Sequence, residues 1–286
     1  PSDVPGSLAM GVRQPAGVVL GMAPWNAPII LGTRAVAVPL ACGNTVVMKG
    51  SEVCPATHSL IIESLQEAGL PNGVVNFITN DPADAGPLVE AMIAHPAVKR
   101  VNFTGSTRVG RIIASVCAKH LKPSILELGG KAPLVVLDDA NIEEAVNGTA
   151  FGAFANSGQI CMSTERIIVD NKIADTFIPA LTEKARNLPL GDPREGPVVL
   201  GSVVDMTTVE RCNALIDDAL EKGAKLLCGG KAENTLMPAT LIDHVTPEMR
   251  IYSEETFAPV KAIVRVDGVE EAIKVANDND YGFGIR

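Results

Sequence analysis

GVVLGMAPWNAPIILGTRAVAVPLACGNTVVMK, residues 17–49, decides the fold. Its opening, 17–22, is a short apolar run with paired valines and predicts a strand. A helix follows over about 28–40, and 44–49 returns to a strand pattern around Thr45-Val46-Val47. Strand, helix and strand in this order form a crossover unit, and such crossovers join parallel strands. The alternation continues outward with a helix over 56–68 ended by Gly69, a strand over 74–78 and a helix over 82–94. A strand over 100–104 and a helix over 106–119 complete the series. Repetition of this kind predicts an open, doubly wound parallel sheet, which binds ligands at the carboxyl ends of its strands.

Past Gly129-Gly130 the pattern begins again. Strands are expected over 132–137, 167–169 and 259–266, with helices over 141–155, 172–186, 210–222 and 269–277. The expected architecture is therefore α/β, with two doubly wound domains, residues 1–128 and 129–286, and a cleft between them. No internal repeat or low-complexity segment interrupts it.

Composition removes several function classes. The 33 acidic residues outnumber the 24 basic ones, and no basic run tracks a phosphate backbone, which argues against nucleic acid. Cys42, Cys54, Cys117, Cys161, Cys212 and Cys228 are scattered singly, with no C-x-x-C pair and no histidine cluster nearby. They read as reduced thiols of a cytoplasmic protein, not as a disulfide framework or a metal site. No apolar run has the length of a membrane span, and no signal-peptide pattern opens the chain, so no membrane partner is expected. Position 1 is Pro, and 281–286 stop without a closing helix, so the sequence is expected to be an internal fragment.

Five segments carry candidate chemistry. In GQICMS, 158–163, Cys161 follows a helix end in a polar loop; it is either a packed thiol or a nucleophile. In ILELGGK, 125–131, Glu127 stands at a strand end before paired glycines, either as a surface carboxylate or as a general base in partly apolar surroundings. FTGSTRVG, 103–110, is a strand, a polar turn and a helix start, where Ser106 either caps the helix or marks a pyrophosphate site. It matches neither the G-x-G-x-x-G fingerprint nor a Walker loop. PWNAP, 24–28, is either a rigid turn or the source of an amide, Asn26, that donates to a developing oxyanion; such a donor contributes roughly 3–4 kcal/mol. Lys49 and Glu52 in KGSE, 49–52, are either solvated loop charges or a pair that holds ribose hydroxyls.

Together and in this order, PWN at 24–26, KGSE at 49–52, FTGSTRVG at 103–110, LELGGK at 126–131, GQICMS at 158–163 and EETFAPV at 254–260 resemble the aldehyde dehydrogenase superfamily. The resemblance is greatest to its aromatic-aldehyde members, such as salicylaldehyde and vanillin dehydrogenases. It implies that Cys161 attacks the aldehyde carbonyl to give a thiohemiacetal, with Asn26 and the Cys161 N–H stabilising the oxyanion. Oxidation leaves a thioester, which Glu127 hydrolyses by activating water, releasing a carboxylic acid. It further implies that Lys49 and Glu52 bind the adenosine ribose, Ser106 the pyrophosphate and Glu255 the nicotinamide ribose. Phe257 packs near the nicotinamide, Trp25 and Val109 line the cofactor groove, and Gly86, Phe103, Gly105, Leu128 and Gly129 complete the set. Residues 1–128 would then be an NAD-binding domain lacking its N-terminal part, and 129–286 a catalytic domain lacking its C-terminal part.

The carboxylate of Glu52 should repel a 2′-phosphate, so NAD is expected over NADP. Two positions depart from the usual family pattern. Gly50 replaces a frequent Pro, which should leave Lys49 and Glu52 usable. Arg34 stands where many members carry a proton-relaying Lys; a guanidinium does not readily lose a proton, and it is expected to attract an anionic or hydroxylated ring. The alternatives are an aliphatic aldehyde or semialdehyde dehydrogenase, a CoA-acylating relative, against which Glu127 argues, and a non-catalytic scaffold. The substrate is expected to be a small aldehyde, and the complete protein a homodimer or homotetramer.

Overall fold

A computed structural model describes residues 4–282, which divide into two compact units between Leu128 and Gly129. The first contains β1 (Val18–Met22), α1 (Pro28–Ala41), β2 (Thr45–Lys49), α2 (Pro55–Glu67), β3 (Val75–Ile78), α3 (Ala85–Ala94), β4 (Val98–Thr104), α4 (Thr107–Lys119) and β5 (Ser124–Glu127). All five strands pair in parallel, in the order β3-β2-β1-β4-β5. The order in which strands are added reverses beside β1, so the switch point falls between β1 and β4. Val46, Met48 and Val75 pack with Ala35, Val36 and Ile62 of α1 and α2. Leu20, Met22, Val101 and Phe103 pack with Ile93, Ile113 and Cys117 of α3 and α4. Each such Val, Leu, Ile, Met or Phe side chain, removed from water, contributes roughly 1.5–3 kcal/mol, and the two clusters account for helices on both faces.

Local chemistry explains where the elements start. α1 and α2 each begin with a proline, whose missing N–H belongs to the unbonded first turn. Ser106 caps α4 by accepting from Val109 N at 3.3 Å. The expected helix over 82–94 starts later as an α-helix: Asp81 accepts from Ala83 N and closes a 3-10 turn over Pro82–Asp84, so α3 begins at Ala85.

The second unit contains β6 (Pro133–Val136), α5 (Ile142–Phe154), β7 (Arg166–Asp170), α6 (Asn171–Arg186), α7 (Met206–Glu221), β8 (Lys225–Cys228), β9 (Thr240–Asp243), α8 (Arg250–Ser253), β10 (Val260–Val266) and α9 (Gly268–Asn277). Its sheet runs β6-β7-β10-β9-β8. Two strands not expected from the sequence, β8 and β9, complete one edge, and there β8 pairs antiparallel to β9. No helix lies between these two strands, so no crossover is made. Gly229, at φ +70°, turns the chain back, with Ala239 O only 2.4 Å from where a Cβ would lie. α7 starts four residues before its expected position because Asp205 accepts from both Thr208 N and Thr208 Oγ1. β7 and β10 lie almost wholly inside.

The six cysteines are thiols, with no disulfide among the described residues. No helix of the described residues is long and apolar enough to cross a membrane.

Candidate active site

In the first unit the candidate residues gather at the carboxyl edge of the sheet. β1 runs into the bend that carries Trp25 and Asn26, both half-buried. Lys49 ends β2, is buried, and donates from Nζ to Glu52 Oε1 at 2.5 Å; Asn80 Nδ2 donates to the same oxygen at 3.2 Å. The pair is therefore organised rather than a set of loose loop charges. Burial raises the Glu52 carboxyl, but the hydrogen bond from Lys49, its own backbone amide and the Lys49 charge outweigh this and hold it below the ordinary value. Gly50 is required by space, because a Cβ there would lie 2.6 Å from the Phe77 ring. His58 fixes the same turn by accepting from Ser51 N at 3.1 Å.

β4 delivers Phe103, Gly105 and Ser106, and a Cβ on Gly105 would fall 2.5 Å from the Phe103 ring. The capping role of Ser106 is the one its hydrogen bond displays, while its exposure leaves the helix start open to an anion. Val109 and Leu128 pack with Phe103, and Leu128 also lies against Gly110 of α4. Gly86 differs from these: it sits in the first turn of α3 with nothing within 4 Å of a built Cβ, so no crowding explains it. Glu127 ends β5 opposite Thr104 in register, and Arg34 Nη2 donates to Thr104 Oγ1 at 3.1 Å. Arg34 and Glu127 line one groove of about 930 Å³ together with Asn44, Arg100 and Asn102. A dinucleotide fits this edge on chemistry: Lys49 donates, Glu52 accepts from a diol, and the start of α4 offers N–H groups to a pyrophosphate.

Cys161 belongs to the second unit, where the backbone ahead of it is strained. α5 ends at Phe154, and Asn156, Ser157 and Gly158 then adopt φ of 51°, 56° and 71°. Left-handed backbone costs roughly 1–2 kcal/mol for each non-glycine residue, so the surroundings must enforce it. Ser157 Oγ accepts from Gly201 N at 3.0 Å and donates to Gly201 O at 3.2 Å. Gln159 Nε2 donates to Ser202 O at 3.4 Å. The turn leaves Cys161 half-buried, beside the exposed Met162 and the buried Ser163.

Gly158 has no substitute here. A Cβ would lie 2.4 Å from Ala258 O, and the φ is itself unfavourable for L side chains. Gly158→Ala should therefore cost about 3 kcal/mol of stability. A urea titration that leaves the midpoint unchanged would contradict this.

A buried ion cluster lies within the same unit. Glu165 accepts from Lys131 Nζ (2.7 Å), Lys261 Nζ (2.9 Å), Thr256 N (2.8 Å), Thr256 Oγ1 (2.7 Å) and Phe257 N (3.3 Å). Burial alone would raise its carboxyl, but the two ammoniums and these donors bring it down to about 2. Glu165 thereby anchors Phe257, whose φ of 46° is another left-handed position. Glu255 is tied separately: its Oε1 accepts from Gly130 N at 2.9 Å, while its Oε2 lies 2.2 Å from where a Cβ on Gly129 would be. Only glycine at 129 allows that approach. Burial pushes the Glu255 carboxyl up, against the Gly130 hydrogen bond.

Lys131, Glu165, Thr256 and Lys261 were not singled out by the sequence reading. The available signal was two charges, Glu165 and Lys261, at the edges of apolar strand runs.

A sequence model described as the aldehyde dehydrogenase family matches residues 1–284. The chain is 60% identical over 283 residues to a vanillin dehydrogenase of Pseudomonas fluorescens, covering 99% of this chain and 59% of that protein. It is 52% identical over 284 residues to a salicylaldehyde dehydrogenase of Pseudomonas putida, covering 99% and 59%. Among solved structures, a salicylaldehyde dehydrogenase from Pseudomonas putida G7 complexed with salicylaldehyde superposes with a TM-score of 0.98 at 51% identity, over 100% of this chain and 59% of that one. The chain thus spans about 59% of the length of these relatives.

Proposed function

The chain belongs to the aldehyde dehydrogenase family, and on that premise we propose that the complete polypeptide oxidises an aromatic aldehyde such as salicylaldehyde to its carboxylic acid with NAD. Cys161 is the covalent nucleophile in this reading. The observation that carries it is the nucleophile loop: a half-buried thiol follows three consecutive left-handed residues that the surrounding hydrogen bonds enforce. Stored strain of this kind concentrates where a side chain must be presented in one orientation.

Residues 1–128 act as the cofactor domain and 129–286 as the catalytic domain. Lys49 and Glu52 hold the adenosine ribose, and their mutual ion pair keeps Glu52 ionised, which disfavours a 2′-phosphate and supports NAD over NADP. Ser106 with the start of α4 takes the pyrophosphate, and Glu255 the nicotinamide ribose. Trp25, Phe103, Gly105, Val109, Leu128, Gly129 and Phe257 shape the space around the cofactor, and Gly86 completes the set. When bound, the nicotinamide supplies the hydride acceptor.

The chain's own groups perform the rest. The Cys161 sulfur bonds to the carbonyl carbon, and the Asn26 amide and the Cys161 N–H donate to the oxygen as it becomes anionic. Loss of hydride leaves a thioester on Cys161. Glu127 takes a proton from water, which adds to the thioester carbon; the C–S bond breaks and the acid leaves. Glu127→Gln should lower steady-state turnover about 10²–10⁴-fold, while Cys161 still accepts the acyl group. The complete enzyme is read as a cytoplasmic homodimer or homotetramer.

Arg34 supports the aromatic substrate, because its guanidinium reaches the groove that Glu127 lines. The test is NADH appearance from NAD with salicylaldehyde and with a straight-chain aldehyde. Salicylaldehyde should turn over with the higher kcat/KM, and Arg34→Lys should shrink the ratio severalfold. A preference for the straight-chain aldehyde would discard the aromatic reading, and an unchanged ratio in Arg34→Lys would discard the role of Arg34.

A further inference from the structure

Lys261 is the second residue of β10, and its side chain is fully buried. Its Nζ donates to Ser163 Oγ at 3.2 Å and to Glu165 Oε1 at 2.9 Å. A Cβ built on Gly158 would lie 3.1 Å from the same Nζ. Gly158 and Ser163 are the two ends of the loop that carries Cys161. One ammonium therefore hydrogen-bonds one end of that loop and lies close against the other. Ser163 is held in turn by donating to Gly152 O at 3.1 Å, which links it to α5.

Charge balance makes this placement unexpected for a purely structural ion pair. Glu165 is already matched by Lys131 and by three donors from Thr256 and Phe257. A second buried ammonium gives Glu165 more positive partners than it needs, an expensive arrangement in a low-dielectric interior. The other ionisable groups facing it are Arg166 at the start of β7, Glu255 ahead of β10, and Cys212 with Arg211 on α7. Ser163 alone would be served by a neutral partner.

We propose that Lys261 is the positioning residue of the nucleophile loop, clamping Gly158 and Ser163 so that the Cys161 thiol is held in one reactive orientation beside a fixed positive charge. This rests on the reading of Cys161 as the nucleophile. Lys261 is fully buried and acts through the loop.

Lys261→Met and Lys131→Met in the complete polypeptide provide the test. Each removes one ammonium from the same cluster and leaves a one-to-one pair with Glu165, so neither strands an unmatched carboxylate. The readout is the rate of Cys161 alkylation by iodoacetamide across pH, followed by peptide mass spectrometry on the fraction that melts as native. Lys261→Met should slow alkylation about tenfold at neutral pH and move the midpoint of the profile upward. Lys131→Met, which removes the same charge without touching the loop, should move it far less. A Lys261→Met profile equal to that of the unmodified protein, or equal shifts in the two variants, would overturn the proposal. Cys161→Ser separates the two readings: NADH formation that survives it would sink the nucleophile assignment, while the alkylation profiles would still decide the role of Lys261.

Discussion

Cys161→Ser should reduce aldehyde-dependent NADH formation by on the order of a thousandfold or more, with cofactor affinity nearly unchanged. A thiol with an ordinary pKa near 8.5 is already a few per cent thiolate at neutral pH and is intrinsically very nucleophilic. A serine hydroxyl at the same place is neither ionised nor supplied with the dedicated base that serine enzymes use. The exchange of sulfur for oxygen is small in volume, and Cys161 is half-buried rather than packed in a core, so the loop should keep its conformation. The loss should therefore appear in kcat, with the melting temperature and NAD binding by titration close to those of the unmodified protein. Residual activity above a tenth would mean that another group forms the covalent bond.

Glu165→Gln has the largest expected effect on stability. The substitution keeps the shape but leaves the ammoniums of Lys131 and Lys261 buried with no hydrogen-bonded counter-charge, a defect that costs about 3–5 kcal/mol. An independent route gives a similar size. Glu165 has an ordinary value of 4.5 and is held at about 2 in the folded chain, which corresponds to roughly 3 kcal/mol. A depressed carboxyl contributes stability that is fully present above its unfolded value and is lost as pH falls through the folded one. The unmodified protein should thus lose this increment between about pH 4.5 and pH 2, and Glu165→Gln should lack that part of the acid dependence. Denaturant midpoints measured across this range test both statements. A variant as stable as the parent at pH 7 would show that the cluster does not hold the Cys161 loop and the Thr256-Phe257 turn together.

The first sheet was legible because β1 to β5 are short apolar runs separated by helices with clear punctuation. Pro28 and Pro55 sit at helix starts, and Gly69 follows a helix end. β8 and β9 were not legible. Lys225–Cys228 is largely exposed and does not alternate, and Thr240–Asp243 is too short to separate from a loop by periodicity. Their antiparallel pairing depends on a turn at Gly229 that only the contact with Ala239 O reveals.

The site divides in the same way. Cys161, Glu127, Asn26 and Lys49 were visible as residue types in a recognisable order. The left-handed run at Asn156–Gly158 was not, because an Asn-Ser-Gly sequence also suits an ordinary turn. Lys131, Glu165 and Lys261 lie far apart in the chain, and each looks locally like a surface charge. Only the folding of β6, β7 and β10 side by side makes them one buried cluster.

The proposed covalent chemistry can be tested directly. The complete polypeptide carrying Glu127→Gln is mixed with NAD and salicylaldehyde, quenched in acid within the first turnovers, and digested for mass spectrometry. The expected result is a salicyloyl thioester on the peptide containing Cys161, accumulating in parallel with a burst of NADH and absent when Cys161 is also changed to Ser. NADH formed at the full rate with no acyl group on Cys161, or an acyl group on another of the six cysteines, would contradict the assignment of Cys161 as nucleophile.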